Sequence, residues 1–494
     1  MSGLDPRTPV LVGVGSVVQR EEDPSRAREP FVLMARALER AAADAGSGEL
    51  LLRADSVRAP RGFWDYRDPC RLVADAVGAA EARTEVAQLG VLQTTLFGRA
   101  CEDIEAGKHD IVLITGGEAK YRALRTEIAG ETVTHTEQPE GTVPDEVLVP
   151  ENEIFHPLEV ECGLVLPVGP YAMIENALRT AEGVSLDHHR REVAELWAGF
   201  SRAAMHNPDA WNRDDIDADT IIDAGPRNRM LAFPYTKLHT SQWNVDQAAG
   251  LILCSVEAAR RHGVPEDRWV FPQCVVDANH MVSLIERRDL HRSDGFELAG
   301  RRAGELCGGD ISGADHLELY SCFPAAVRIQ MREFGIGADR PVTLTGGMPF
   351  AGGPLNNFVL QALVRLARVL RAEPGTVGVA TAVSGIITKQ VVSVWSTRPP
   401  ASGFAFEQVT DAVARQLARA EIVDPPGGAD ASVVTYTVLH DRGTPARLVL
   451  LCELGDGRRT LIAVDDPALA AECIGRDLLG TAVRIEGKGR VELR

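Results

Sequence analysis

The stretch Leu344–Asn357, "LTGGMPFAGGPLNN", contains four glycines and two prolines and ends in two asparagines. A glycine-rich run between a strand and a helix can form a loop whose backbone N–H groups hold a phosphate. The stretch lacks the Gly-Lys-Ser/Thr triplet of a nucleotide-binding P-loop. The other interpretation is therefore an active-site loop in which the catalytic residue has been replaced.

Alternating β-rich and helical segments surround this loop. The runs "PVLVGVGSVV" (Pro9–Val18) and "DIVLITGG" (Asp110–Gly117) are apolar, and segments with helical spacing of apolar residues separate such runs. This alternation favours helices packed on a mostly parallel sheet. The runs "LITGGEA" (Leu113–Ala119) and "TLTGGMP" (Thr343–Pro349) resemble each other, and each is predicted to be a strand followed by a glycine pair. The sequence predicts an α/β protein with two similar parts.

Two other segments differ from this pattern. Residues 121–234 begin with a polar, proline-broken stretch and continue with helical stretches. They are predicted to form a long insertion that covers the sheet and lines an active site. Residues 402–494 contain strand-like runs, some separated by the turn signals "GDG" and "GKG". They are predicted to form a small all-β, OB-like barrel that acts as a lid or docks a protein partner.

Composition limits the possible classes of function. The 494 residues carry a formal net charge of −18 at pH 7, and 45% of them are hydrophobic. We do not expect so acidic a chain to bind nucleic acid or an anionic membrane, but a local basic pocket for an anionic ligand stays open. The sequence shows no signal peptide, no run of 18 apolar residues and no CxxC pair among its nine cysteines. We expect a cytoplasmic protein with no membrane span, disulfide framework or metal site.

Three motifs give the chain a resemblance to a known family. "LELYSCFPAAVRIQMREFGIG" (Leu317–Gly337) resembles the His-Asp-Cys-Phe segment of sterol-carrier-type thiolases. "GGMPFAGGP" (Gly346–Pro354) has the length and ends of the thiolase loop that finishes in Gly-His-Pro, and "VDQAAGLILCSVEAARRHG" (Val245–Gly263) resembles the Asn-Asp-Gly-Ala segment. Over about residues 8–396 the chain resembles the thiolase superfamily. Within it, the chain is most similar to acetyl-CoA acetyltransferase-like members that carry an additional C-terminal β-domain.

The resemblance implies a five-layer αβαβα fold made of two similar halves. One half would comprise residues 8–120 and 235–260, and the other would comprise residues 261–399. It also implies coenzyme A or an acyl-CoA as a non-covalent ligand, and a place in lipid metabolism. A homodimer and a monomer both stay open, because the insertion and the extra domain could change the usual thiolase assembly.

Thiolase chemistry requires a nucleophilic cysteine, a histidine that activates it and a second cysteine that moves the α-proton. By the resemblance, these positions correspond to Gly90, Gly353 and Val383, so all three groups are missing. The resemblance therefore implies a thiolase fold that lacks the usual thiolytic machinery.

The remaining polar candidates each have a structural alternative. Tyr320 stands at the position of the family's histidine, and its hydroxyl could donate to a thioester or enolate oxygen or simply pack at a strand end. His156, beside Glu159, could act as a base or only hydrogen-bond its loop. Ser384, the third catalytic candidate, could hydrogen-bond a ligand or a water, or it could only satisfy backbone groups at a glycine-rich turn. The candidates for substrate binding are Gln93, Asn244, Cys322, Asn356 and Asn357, and Cys322 is expected to be a core residue rather than a nucleophile.

These observations lead to a first hypothesis and two alternatives. The first is an acyltransferase-like protein that binds acyl-CoA and does not work as a thiolase. The second is an aldolase or lyase that acts on a CoA thioester without a cysteine nucleophile, in which Tyr320 would take part. The third is a non-catalytic scaffold subunit that binds a protein partner through its C-terminal domain.

Overall fold

The computed structural model of the chain describes residues 3–494, in which eighteen β-strands form three sheets. In chain order the strands are β1 Pro9–Gln19, β2 Ser56–Pro60, β3 Arg83–Ala87, β4 Ile111–Ala119, β5 Glu146–Leu148, β6 Met230–Ala232, β7 Tyr235–Thr236, β8 Asp246–Ser255, β9 Phe271–Asn279, β10 His316–Glu318, β11 Val377–Ser384, β12 Lys389–Ser396, β13 Ala405–Gln408, β14 Gly427–Asp441, β15 Thr444–Leu454, β16 Arg459–Val464, β17 Ala482–Gly487 and β18 Arg490–Leu493.

Sixteen α-helices connect and cover these strands in the same described range. They are α1 Pro30–Ala45, α2 Glu49–Leu52, α3 Pro69–Val77, α4 Gln93–Glu105, α5 Lys120–Ile128, α6 Pro157–Glu161, α7 Val168–Glu182, α8 Leu186–Met205, α9 Ala218–Ile222, α10 Val256–Arg261, α11 Asp294–Cys307, α12 Pro324–Phe334, α13 Gly347–Phe350, α14 Phe358–Ala372, α15 Thr410–Gln416 and α16 Pro467–Cys473. Short 3₁₀ turns lie at Lys237–His239, Glu266–Arg268, Leu284–Glu286, Ile311–Gly313 and Leu355–Asn357. Between residues 3 and 494, no helix is both long and apolar enough to cross a bilayer.

Two mixed sheets form the main body. The first has the strand order β1-β8-β4-β2-β3-β5, in which β8 is antiparallel to both of its neighbours and the later pairs are parallel. The second has the order β10-β11-β12-β9-β13, in which β12 is antiparallel to β11 and β9. The predicted α/β class is confirmed.

Helices lie on both faces of these sheets and between them. The first sheet carries α1 and α3 on one side, α4 and α14 lie between the sheets, and α11 covers the second sheet with α12 packed beside it. Glycine permits the closest of these contacts, because a Cβ on Gly15 of β1 would lie 2.2 Å from the Ala37 carbonyl oxygen of α1. The layers therefore follow the αβαβα order expected from the resemblance.

The glycine pairs of the two similar runs sit in different structures. "LITGGEA" is the buried strand β4, as predicted, but the prediction of a strand at "TLTGGMP" was wrong. The buried carboxylate of Glu318 accepts hydrogen bonds from the backbone N–H groups of Leu344 and Thr345, at 2.6 and 2.8 Å. A side chain therefore satisfies the backbone groups that a sheet ladder would otherwise use.

The third sheet joins the C-terminal residues to the insertion. Its order is β16-β15-β14-β17-β18, and β6 of the insertion pairs with β14 at Leu439. Over the described residues, no ladder joins β18 to β16, so a closed barrel stays a prediction. The insertion also supplies β5, which pairs with the outer side of β3. Within the range predicted as the C-terminal domain, β13 pairs with β9 of the second sheet.

Candidate functional site

The predicted position of the missing nucleophile lies in the turn between β3 and α4. Gly90 has φ = 96°, a left-handed conformation that side chains disfavour. A Cβ at this position would lie 3.0 Å from Cβ of Pro150, which belongs to the inserted segment. A cysteine here would meet both backbone strain and the covering loop.

A buried lysine contacts this turn. Lys389 is only 2% exposed, and its Nζ donates a hydrogen bond to the carbonyl oxygen of Gly90 at 3.0 Å. Burial lowers the pKa of Lys389, because the charged amine loses its hydration. Ser384 is the partner of Lys389 in the β11–β12 pair, which brings Ser384 to the same place. Sequence reasoning missed Lys389, although a lysine that begins an otherwise apolar strand is a detectable signal.

Side-chain amides adjoin the turn on its α4 side. Gln93, the first residue of α4, donates from Nε2 to Oδ1 of Asn356. The remaining amide atoms, Oε1 of Gln93, Nδ2 of Asn356 and both polar atoms of Asn357, are buried without a hydrogen-bond partner. Because an unpaired buried polar group costs roughly 1–3 kcal/mol, such atoms favour any ligand or water that can bond to them. The structure thus brings together Gly90, Gln93, Asn356 and Ser384 from the predicted set.

The loop that should carry the activating histidine lies beside Ser241. The Gly353 N–H donates to the carbonyl oxygen of Gln242 at 2.8 Å, and a Cβ on Gly353 would lie 3.1 Å from Cβ of Ser241. Ser241 in turn donates from Oγ to the carbonyl oxygen of Cys322 at 3.0 Å. The Gly353 loop and the "YSCF" segment therefore face each other across Ser241.

Tyr320 is held with its hydroxyl unpaired. Its backbone N–H donates to Oγ1 of Thr381 at 2.7 Å, and its ring meets the edge of Phe358 at a centroid distance of 6.2 Å. None of the hydrogen bonds found over residues 3–494 uses the Tyr320 hydroxyl. Burial raises the pKa of Tyr320 well above its usual range, so the side chain is a neutral hydrogen-bond donor. Phe358, which contacts Tyr320, directly follows Asn357 in the chain. Tyr320 therefore lies near the unpaired amide atoms beside Gly90.

Cys322 is buried beside Tyr320, and its position is that of a core residue. Burial raises the pKa of its thiol to about 12, which leaves the thiol protonated at neutral pH. The thiolate is the nucleophilic form of cysteine, so Cys322 is not poised to attack a thioester.

Three other predicted residues lie outside this group of contacts. His156 caps α6, because its Nδ1 accepts the Leu158 N–H at 3.2 Å while its own N–H donates to Glu159 at 2.9 Å. This geometry matches the structural alternative for His156. Val383 is buried in β11. Asn244 is half-buried in the loop before β8 and makes no hydrogen bond within the described range.

A basic cavity, which the sequence did not reveal, opens next to the Gly353 loop. It has a volume of about 740 Å³, and its lining includes Arg20, Arg213, Arg227 and Lys237, with Asp214 as the only acidic side chain. Gln242 and Pro349 also line it. Four cations against one carboxylate give this cavity a positive potential on a chain of net charge −18. An anionic ligand can therefore bind here despite the overall charge.

One acidic cluster has the geometry of a metal site but already contains a cation. Glu182, His189 and Glu192 place ligand atoms within 4.8 Å of one another. The guanidinium of Arg328 lies among them, 2.6 Å from Glu182 and 2.9 Å from Nδ1 of His189. The arginine takes the place that a metal ion would need.

Comparisons with known proteins agree with this fold. No protein-family model matches the chain. An acetyl-CoA acetyltransferase from Methanothermobacter thermautotrophicus is 27% identical over 292 residues, which are 55% of this chain and 67% of that protein. A monomeric SCP2-thiolase-like protein type 1 from Mycobacterium smegmatis has a crystal structure that matches with a TM-score of 0.82, at 27% identity and over 99% of both chains.

The chain is a member of the thiolase-like superfamily. Human mitochondrial 3-ketoacyl-CoA thiolase in complex with CoA has the same fold, with a TM-score of 0.54 and 15% identity over 79% of this thiolase-like chain and 98% of that one. The Ltp2–ChsH2(DUF35) aldolase also has it, with a TM-score of 0.59 and 17% identity over 80% and 99% of the two chains. At these identities the last two likenesses concern the fold alone.

Proposed function

We propose that this thiolase-like chain binds a coenzyme A thioester, with the nucleotide phosphates in the basic cavity and the thioester beside the Gly353 loop. The proposal rests on one observation: the basic cavity and the Gly353 loop share a wall. Gln242 lines the cavity, and its backbone hydrogen-bonds to both Gly353 and Met348. A polyanionic nucleotide is attracted to Arg227 and Lys237, which are exposed on the cavity wall.

The bound thioester is not attacked by a cysteine in this proposal. The three positions that the resemblance assigns to the catalytic groups hold Gly90, Gly353 and Val383, and the nearby Cys322 thiol stays protonated. The chain is acyltransferase-like in fold, and acyl transfer through a cysteine acyl-enzyme has no support in these residues.

Cleavage of a carbon–carbon bond is the reaction that these residues support best. In a retro-aldol step on a β-hydroxyacyl-CoA, the β-hydroxyl loses its proton to a base and the Cα–Cβ bond breaks. The bond's electron pair moves onto the thioester as an enolate, a carbonyl compound leaves, and Cα is then protonated. The unpaired, neutral hydroxyl of Tyr320 is suited to donate a hydrogen bond to the enolate oxygen. An aldolase of the same fold supports this choice.

The C-terminal domain acts within the same chain in this proposal. Thr435 donates from Oγ1 to the carbonyl oxygen of Met173 at 2.6 Å, and Asn176 donates from Nδ2 to that of Tyr436 at 2.9 Å. These contacts support a role in holding the inserted segment over the site. We retain the OB-like barrel as the proposed architecture of this domain, and a cytoplasmic location as the proposed setting.

Isothermal titration calorimetry with coenzyme A and acetyl-CoA tests the binding step. The double variant Arg227→Ala/Lys237→Ala should bind about 2- to 30-fold more weakly, since two exposed ion pairs at about 0.2–1 kcal/mol each contribute about 0.4–2 kcal/mol. A double variant of two exposed arginines outside the cavity, Arg36→Ala/Arg415→Ala, is the matched control and should bind like the parent chain. No binding at millimolar coenzyme A would refute the proposal and favour the scaffold alternative.

Retro-aldol cleavage of β-hydroxyacyl-CoAs tests the reaction. Tyr320→Phe keeps the ring that packs on Phe358 and removes only the hydroxyl. Loss of one hydrogen-bond donor to an oxyanion typically lowers kcat by about 10²–10³-fold, and substrate affinity should change little. Unchanged turnover in Tyr320→Phe would remove this residue from the mechanism.

A further inference from the structure

Arg287 is a buried arginine without a counterion. Its side chain is 4% exposed, and its Nη1 donates a long 3.4 Å hydrogen bond to the carbonyl oxygen of Ile387. Nε and Nη2, which form one edge of the guanidinium, are buried without a hydrogen-bond partner. Burial lowers the pKa of Arg287 to about 10, so the group is still a cation at neutral pH.

The other buried arginines between residues 3 and 494 have carboxylate partners. Arg58 pairs with Asp103, and Arg179 pairs with Asp477 at 2.6 Å. Arg459 pairs with Glu453 at 3.0 Å. The carboxylate of Glu159 acts on the charge of Arg287 from beyond 4.0 Å, and instead accepts the N–H groups of His156 and Ile285. An unpaired buried charge is costly, so an anion is the missing partner of Arg287.

A small cavity adjoins Arg287. It has a volume of about 60 Å³ and lies between β12, the start of α11 and the segment that follows α15. Arg287 and Gln390 both line it, together with Ser293, Ile387, Thr388 and Ala418. Since a single water needs about 10–15 Å³ by this measure, the cavity holds a group of a few heavy atoms.

Gln390 supplies the second unpaired group of the cavity. Its Nε2 donates to Ile387 O at 2.7 Å and to Ser293 Oγ at 3.1 Å, which fixes the orientation of the amide. Oε1 of Gln390 is then buried and free to accept a hydrogen bond. Two residues that line the cavity therefore carry a cationic two-donor edge and one neutral acceptor that have no hydrogen-bond partner among the described residues.

We propose that this cavity binds a small hydroxycarboxylate, whose carboxylate pairs with Nε and Nη2 of Arg287 and whose hydroxyl donates to Oε1 of Gln390. The Nε–Nη2 edge of a guanidinium matches the two oxygens of a carboxylate, which makes a bidentate pair. Burial lowers the pKa of His280, which also lines the cavity, and leaves it uncharged at neutral pH. The other charged residues of the lining are Arg292, Asp289 and Asp294, so the cation that would bind the carboxylate is Arg287. The site is separate from the basic cavity beside Gly353, and its ligand pairing does not need coenzyme A.

The hydroxycarboxylate has two possible sources, a free small acid or the polar end of an acyl chain. Ile387 and Thr388 follow Ser384 by three and four residues, so the cavity adjoins the turn that follows Ser384. The second source rests on the proposed function, whereas the first does not.

Calorimetric titration with glycolate, acetate and chloride at constant ionic strength tests the site. Glycolate should bind more tightly than acetate, and chloride should not compete. Arg287→Met should weaken glycolate binding tenfold or more, whereas Arg36→Met, at an exposed arginine outside this cavity, should leave it unchanged. Gln390→Leu provides a second variant if Arg287→Met does not fold, and it should make glycolate and acetate bind alike.

Competition between glycolate and CoA thioesters distinguishes the two sources of the hydroxycarboxylate. Displacement of glycolate by a CoA thioester with a hydroxycarboxylate acyl end, but not by butyryl-CoA, would assign the site to the substrate. Glycolate binding that no CoA thioester disturbs would assign it to a free acid, and both results support the site. Absence of glycolate binding to the parent chain, or equal binding by the parent and Gln390→Leu, would overturn the proposal without affecting the test of coenzyme A binding.

Discussion

Replacement of Asp277 by asparagine should make the chain more stable at alkaline pH. Asp277 lies in β9 and is 2% exposed. Its Oδ1 has no hydrogen-bond partner, and its Oδ2 accepts only a 3.5 Å bond from Gln408. Burial therefore raises the pKa of Asp277 from 3.8 to about 7, against smaller opposing effects of the Gln408 hydrogen bond and of the charge on Lys389.

The direction of this pH dependence follows from the number of protons that the folded and the unfolded states bind. Between pH 4 and 7 the folded state holds a proton on Asp277 that the unfolded state has lost, so stability falls as the pH rises through this window. A shift of about three pKa units at 1.36 kcal/mol per unit corresponds to a loss of about 4 kcal/mol above pH 7. About 3 kcal/mol of this loss should occur between pH 5 and pH 8. Asp277→Asn is nearly isosteric and avoids the loss.

Urea unfolding of the parent chain and of Asp277→Asn at pH 5, 6, 7 and 8 measures the effect. The difference in free energy of unfolding should grow by about 3 kcal/mol in favour of the variant across this range. Glu118, Glu318 and Asp246 are also buried with raised pKa values, but they are present in both proteins and cancel in the difference. Asp411→Asn at an exposed position is the control. A difference that stays constant with pH would show that Asp277 is ionised in the folded protein at no cost.

Three further predictions concern the site, the assembly and the cysteines. Gly353→His alone should show no thiolysis of acetoacetyl-CoA, because Gly90 leaves no thiol for the histidine to activate, and detectable thiolysis would mean that the nucleophile position is misassigned. Light scattering should give a monomer of 53.3 kDa, since β5 covers the outer side of β3 and leaves only a three-residue strand at that sheet edge. A concentration-independent mass near twice this value would refute that argument. Sγ of buried Cys274 lies 3.6 Å from Sγ of exposed Cys307, so mild oxidation should form a disulfide with a loss of about 2 Da in mass spectrometry. Cys307→Ser should prevent it, and an unchanged mass in the parent chain would contradict the prediction.

Local pattern was sufficient for many elements of the fold. The apolar runs Pro9–Val18 and Asp110–Gly117 predicted strands, and β1 and β4 span Pro9–Gln19 and Ile111–Ala119. The same kind of pattern failed at "TLTGGMP", where the sequence resembles β4 but the backbone bonds to the carboxylate of Glu318 instead of a strand. Helix and strand periodicity depends on near neighbours along the chain. A buried side chain from another segment can override it, and the sequence does not show that contact.

The sequence by itself determined the α/β class and the resemblance to thiolases, because these depend on residue type and order. The replacement of the three catalytic groups stays a prediction of that resemblance. Only the tertiary structure decided which side chains meet. Lys389 bonds to Gly90 across 299 positions, and Gln93 bonds to Asn356 across 263. It also left Arg287 without the carboxylate that Arg58, Arg179 and Arg459 each have. Such pairings follow from how the sheets and helices pack against one another, since packing brings distant parts of the chain into contact and decides which charges lose their water.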